Sequence, residues 1–410
     1  MQSADSAETG VKTYRLGTHR TVPPHETIER LRPFLDAFGI TRVANLTGLD
    51  RAGVPVVMVC RPNARSSAVF HGKGIDLDAA KASGLMEAVE TWHAEHAELP
   101  LRFGSAANLA ASLRLVDVEG LPRAPSGSFR ASLPTHWVEG RDLMSGGSVW
   151  VPFEIVHADG TGSAPPASGC FAASTNGLAS GNHVLEATSH ALCEVIERDA
   201  TSLWHGSPPP AQDAGRVDPA TVPDETCRAL LQRLDEAQLD VAVWDITTDV
   251  GVPAFQCLAI DRTGEIRHVG HGAGCHPTRE VALLRALTEA VQVRTTYIVG
   301  SREDISRSDY EHEILDARSR RARAMMRPVE RMRDFRTAGR FTFDGFEAEV
   351  AWLLQRLRGA GIREAIAIDL TRREFGVPVV RVVVPGLEGS DHHGNYVPGV
   401  RARAVREGRP

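Results

Sequence analysis

The chain has 410 residues, 42% of them hydrophobic and 24% charged, with a formal charge of -6 at pH 7. That length allows two or three domains, or one large mixed α/β unit, and in either case a sizeable core. The acidic balance excludes the broad basic excess that nucleic-acid binding requires; the start MQSADSAETGVKTYRLG lacks the apolar stretch of a signal peptide, and no run of about 18 apolar residues follows, so a cytoplasmic protein with no membrane span is expected.

The first ordered pattern runs from 29 to 60: a helix-like stretch, a short apolar strand ending near Thr47, a turn, then Gly-Val-Pro from Gly53 into a second apolar strand. Gly72-Lys73-Gly74 reads as a glycine-bearing turn before an amphipathic helix, AAKASGLMEAVETWHAEH, centred on Glu87. From 98 to 175 the chain is richer in Gly, Ser and Pro, a composition suited to a peptide-facing loop, with a strand hairpin expected over 135–156. Ser180-Gly181-Asn182 reads as a second turn, before the helix EATSHALCEVIERDATSL centred on Glu194. The helix–strand–turn–Gly-Val-Pro–strand pattern returns at 228–260, with its triplet at Gly251. Gly272-Ala273-Gly274 then precedes the helix VALLRALTEAVQVRTTYI, centred on Glu289. The basic stretch 317–336 is expected to be a solvated helix face. A third copy of the pattern follows at 351–384, with Gly376, and the last residues, VRARAVREGRP, are expected to be exposed.

Two sets of internal repeats result: three αββ units expected to share sheets, and three helices each carrying a central glutamate. Glu87 and Glu90 lie three residues apart, as do Glu194 and Glu197, while Glu186 stands two turns before Glu194 on nearly the same face. Acidic residues on a helix ordinarily mark its wet side, and for one helix alone that explanation would suffice. Each central glutamate, however, has apolar neighbours, as in Leu192-Cys193-Glu194-Val195-Ile196. Carboxylates gathered toward protein repel one another unless cations compensate them, and hard oxygen donors suit Mg2+. Arg198 and Arg285 offer forked donors that match phosphate, or pair with glutamates on their own helices; Lys73 is a further donor or part of a plain turn. No P-loop and no dinucleotide-binding glycine motif is present, so a nucleotide bound here would be held through metal and carboxylates. The six cysteines have no zinc spacing, and His93-Ala94-Glu95-His96 is not a zinc-protease motif.

The segments GKGIDLDAAKASGLMEAVETWHAEH, SGNHVLEATSHALCEVIERDA and GAGCHPTREVALLRALTEAVQVR resemble, in this order, the three signature segments of the YcaO family. The likeness covers residues 28–392, leaving tails at 1–27 and 393–410. TGLDRAGVPV, EAVETWHAE and VVVPGLE look closest to the branch that works with a TfuA partner. The resemblance implies a YcaO-type α/β fold of twisted, mainly antiparallel sheets, with the acidic helices lining an ATP cleft, and a homodimer. It implies ATP-dependent activation of a peptide backbone amide. Glu87, Glu90, Glu186, Glu194, Glu197 and Glu289 would be metal ligands, while Ser83, Asn182, Arg198 and Arg285, with Lys73, would face the nucleotide. Azoline-forming members commonly end in a proline-rich PxPxP tail, whereas this chain ends REGRP, which favours the thioamide-forming type and a separate sulfur donor. The alternatives are azoline formation on a peptide or protein substrate and a nucleotide-binding accessory role without turnover.

Overall fold

The computed structural model describes residues 10–125, 127–161, 168–389 and 396–408. In chain order the strands that matter here are β1 (Arg42–Asn45), β2 (Val56–Cys60) and β3 (Val69–Lys73), then helix α1 (Leu77–Glu95). Next come β4 (Leu101–Ser105), β5 (Pro134–Asp142), β6 (Ser148–Pro152), β7 (Leu178–Ser180) and α2 (Val184–Gly206). They are followed by β8 (Arg216–Asp218), α3 (Glu225–Glu236), β9 (Leu239–Asp245), β10 (Ala254–Asp261), β11 (Gly270–Cys275) and α4 (Arg279–Val299). The chain closes through α5 (His312–Met325), β12 (Arg333–Asp334), α6 (Phe346–Gly359), β13 (Ile366–Asp369), β14 (Val379–Val383) and α7 (Val400–Arg406).

Two compact units result. One takes residues 13–88 and 208–342 and holds a three-stranded sheet, β1-β2-β3, and a five-stranded sheet, β11-β10-β9-β8-β12. The other takes the rest of the described chain and holds a six-stranded sheet in the order β4-β5-β13-β14-β7, with β6 beside β5. The strand pairs are antiparallel except β8 with β12, so the fold is mixed α/β with mainly antiparallel sheets, as expected.

The αββ stretches do not share sheets. Each helix-and-hairpin lies in a sheet of its own: β1-β2, β9-β10 and β13-β14. What sits beside each hairpin is the strand that leads into an acidic helix. Thus β3 pairs with β2 and enters α1, β11 pairs with β10 and enters α4, and β7 pairs with β14 and enters α2. The Gly-Val-Pro triplets make these joints. Gly53, Gly251 and Gly376 all have positive φ, at 65°, 70° and 63°, which an L side chain resists. Two residues on, the carbonyls of Pro55, Pro253 and Pro378 accept the backbone N–H of Gly74, His276 and Gly181, at 3.2, 3.1 and 3.1 Å. Each bond ties the hairpin to the residue that follows the neighbouring strand.

Gly72, Lys73 and the 272–274 triplet are strand, not turn. Their glycines are there because the acidic helix crosses its own strand at backbone contact. A Cβ on Gly72 would strike the carbonyl of Ala80, and one on Gly274 that of Ala282. The helices are also less amphipathic than their patterns imply: α4 has no exposed residue and α1 exposes only Asp78. They are the inner helices of their units, which is why apolar residues surround the glutamates. Leu283, Leu287 and Val291 of α4 pack with Phe255 and Cys257 of β10 in the core of the first unit.

The expected hairpin over 135–156 is β5 with β6, and part of the Gly/Ser/Pro-rich stretch before 175 lies outside the described residues. The basic stretch is helical only to Met325, because Pro328 cannot continue a helix. The C-terminal residues are not simply exposed. Arg401 forms a forked pair with the fully buried Asp199 of α2 at 3.0 Å for both bonds, and Glu388 accepts the N–H groups of Gly399 and Ala402 at the start of α7. None of the described helices is long and apolar enough to cross a membrane.

Candidate functional site

Helix α2 supplies the densest set of candidate residues. It starts where the His183 ring accepts the Leu185 N–H, and Glu186 in its first turn suits the positive end of the helix dipole. Glu186 is 6% exposed, and its Oε1 accepts from Asn182 Nδ2 at 3.2 Å. Two turns later Glu194 meets Arg198 on the same helix, 3.6 Å apart. Glu197 and Arg198 are half-buried beside it. Glu90, on the last turns of α1, accepts both the backbone N–H and the hydroxyl of Ser180 at 2.8 and 2.6 Å, and so clasps the end of β7.

Arg381 belongs with this set and escaped the sequence reading. It lies in β14, 4% exposed, and donates to the Ser174 carbonyl at 2.6 Å, while its Nε is buried without a partner. Burial lowers its pKa to about 10, which still leaves it charged at neutral pH, and the Glu194 carboxylate supports that charge. Glu194 thus pairs with Arg198 and also favours the charged form of Arg381. Among the described residues, no three of Glu90, Glu186, Glu194 and Glu197 bring a carboxylate oxygen apiece within 4.8 Å of one another.

The other unit carries Lys73, Ser83, Glu87, Arg285 and Glu289. Lys73 Nζ sits 2.6 Å from Glu289 Oε2, whose second oxygen faces the Ala273 N–H at 3.3 Å. Lys73, expected to face a nucleotide, thus neutralises one of the candidate metal ligands. Arg285 does not pair with Glu289 four residues on; its guanidinium donates to the Cys275 carbonyl at 3.2 Å. Gln292, at the place held by Glu90 and Glu197 on the sibling helices, donates to the His71 carbonyl. Ser83 and Glu87 are half-buried one turn apart on α1. Arg302 is another residue the sequence reading missed: burial works against its charge, yet a bond to Asp304 and the Glu87 carboxylate raise its pKa on balance.

None of the six glutamates is exposed. Carboxylates that are buried, as Glu186 is, or half-buried, as the other five are, suit Mg2+, and arginines with donors to spare suit phosphate. The histidines and cysteines fit chemistry less well. Burial lowers His71 and His93 to about 4, so both are neutral, and His93 Nδ1 lies against the Val89 carbonyl at 2.8 Å. Burial pushes the Cys257 thiol up to about 12, so it acts as a small apolar side chain.

Residues 71–388 match the family described as YcaO cyclodehydratase, ATP- and Mg2+-binding. A protein of the tfuA 3′ region of Rhizobium leguminosarum bv. trifolii is 38% identical over 409 residues, 96% of this chain and 93% of that one. The structure of YcaO from Methanopyrus kandleri bound with AMPPCP and Mg2+ superposes with a TM-score of 0.75 at 26% identity, covering 92% of this chain and 95% of that one. A heterocyclase in complex with substrate and cofactor gives a TM-score of 0.78 over 93% of this chain. At 23% identity it speaks for the fold alone, and this chain spans 54% of its length.

Proposed function

The chain belongs to the YcaO family, whose cofactors are ATP and Mg2+, and we propose that it activates a peptide backbone amide by O-phosphorylation and lets sulfur replace the oxygen, giving a thioamide. The observation that carries the activation step is that the six glutamates are buried or half-buried, with Glu194 paired to Arg198. What supports sulfur as the incoming atom is the 38% identical relative from a tfuA 3′ region.

When bound, ATP and Mg2+ supply the phosphoryl group and compensate the negative charge of the phosphates. Glu87, Glu90, Glu186, Glu194, Glu197 and Glu289 hold the metal, within a catalytic domain over 28–392. Ser83, Asn182 and Lys73 face the nucleotide. Arg198 and Arg285 direct donors at phosphate oxygens, and Arg381 fixes the charge of Glu194 from behind. The carbonyl oxygen of the amide accepts the phosphoryl group, since an amide otherwise has no leaving group better than oxide or hydroxide. A hydrosulfide equivalent adds at the amide carbon, the C–O bond breaks as phosphate departs with the former amide oxygen, and loss of a proton leaves C=S. A TfuA-like partner and a sulfur donor deliver that atom, and the chain works as a homodimer.

A second reading, capture of the activated amide by a neighbouring Cys, Ser or Thr, is favoured by the word cyclodehydratase in the family description. Product mass separates the two. Candidate peptides co-expressed with this chain and its genomic neighbours should gain about 16 Da for exchange of O by S, with ADP released in step. A loss of about 18 Da with ADP release would mean an azoline, and neither change would mean an accessory protein.

A further inference from the structure

The proposed chemistry leaves the most basic stretch of the chain unused. Residues 317–336 hold eight arginines against two carboxylates, in a chain whose net charge is -6. In the structure this stretch, running from α5 through Pro328, walls a cavity of about 570 Å3 that lies wholly within the unit of the five-stranded sheet. The lining also includes the half-buried aliphatic side chains of Leu231 of α3 and Val241 of β9.

The arginines around the cavity divide into two kinds. Arg262 is spent on Asp235 and Asp240, at 2.8 and 2.9 Å, and Arg327 on Asp213 at 2.6 Å. Arg216 and Arg323 form no ion pair among the described residues. Arg216 lies over the Trp244 ring, 4.7 Å from its centroid, and gives one weak bond to the Met325 carbonyl at 3.4 Å. Arg323 gives one bond to the Asp261 carbonyl at 3.1 Å. Just before it on α5, Arg320 and Arg321 are exposed and likewise form no ion pair among the described residues. A guanidinium has five donors in a fork that fits a carboxylate, so Arg216 and Arg323, which both line the cavity, offer carboxylate seats beside its aliphatic residues. The aliphatic lining suits peptide side chains, whereas a nucleic-acid strand would find no flat ring among the lining residues to stack on.

We propose that this cavity docks an acidic stretch of the polypeptide that the enzyme modifies, its Asp or Glu side chains seated on Arg216 and Arg323 and its intervening aliphatic side chains on Leu231 and Val241. This rests on the peptide substrate proposed above. None of the lining residues belongs to a glutamate helix, so recruitment and turnover are separately measurable.

The test is fluorescence anisotropy with the intact protein and no nucleotide, using a labelled peptide of about twelve residues that alternates Glu and Leu, the same peptide with Lys in place of Glu, and a single-stranded oligonucleotide, each at about 50 and 200 mM salt. The acidic peptide should bind at least tenfold more tightly than either control and weaken at the higher salt. Arg323→Glu, an exposed position that leaves packing alone, should cost a further tenfold, and Arg216→Gln a comparable loss. Equal binding of the Lys peptide, preference for the oligonucleotide, or undiminished binding by Arg323→Glu would overturn the assignment. Because no ATP is present, these outcomes are independent of ADP release, so docking and amide activation can each fail alone.

Discussion

At position 381 a guanidinium is buried in a run of valines, with Glu194 as its supporting charge. The signal was present in the sequence as a lone arginine in VVRVVV, but its partner lies on a helix near the middle of the chain, and no local pattern connects the two. The glutamates were legible for the opposite reason: each is flanked by apolar residues on a strongly periodic helix, and three copies speak together. This pairing changes what substitutions should do. Arg285→Ala should lower ADP release by about a hundredfold or more, the scale of removing a preorganised charge from phosphoryl transfer, with an unchanged melting temperature. Glu194→Ala should lose activity as fully but also lower the melting temperature, because it removes the carboxylate that supports the charge of the buried Arg381. Adding Arg381→Met should restore most of that stability and none of the activity. Thermal melts read beside an ADP assay check all three, and a fully stable Glu194→Ala would show that Arg381 has no such dependence.

Among the elements, the helices and hairpins were readable from periodicity and from Gly-Val-Pro, whereas the partner of each hairpin was not. The glycines of 72–74 and 272–274 look like turn residues in isolation, and only the helix lying against them shows that they are strand residues kept small. Urea unfolding distinguishes the two uses of glycine. Gly274→Ala should cost about 3 kcal/mol, since its Cβ meets helix backbone that cannot yield. Gly53→Ala, with open space but a φ of 65°, should cost only about 1 kcal/mol. Equal losses would contradict the close-approach explanation. The C-terminal helix taught the reverse lesson, since an arginine-rich end that reads as solvent-exposed is anchored by one buried carboxylate. Arg401→Ala should therefore destabilise the protein by about 3 kcal/mol by leaving Asp199 buried and unpaired, while Arg403→Ala, which loses a bond to the Pro398 carbonyl, should cost less than about 1 kcal/mol.

For the whole molecule, length allowed a large core and the resemblance implied an α/β fold, but neither said which strands would meet: β7 joins β14 about two hundred residues further on, a pairing set by tertiary packing rather than by any adjacent turn. The same core fixes a pH dependence. His71 and His93 are held near a pKa of about 4 by burial, against about 6.5 in an unfolded chain. Between those values the unfolded chain binds protons that the folded one refuses, so their contribution is complete above pH 6.5 and is lost as pH falls toward 4. Urea midpoints at pH 7 and pH 5 should differ by about 2 kcal/mol for each imidazole, and His93→Phe should remove about half of that difference; midpoints independent of pH would contradict it. The central claim, that ATP activates an amide oxygen, is tested most directly by placing oxygen-18 in the backbone carbonyls of a peptide that the enzyme modifies. The released phosphate should carry one labelled oxygen for each amide converted, whereas unlabelled phosphate beside a converted peptide would contradict O-phosphorylation.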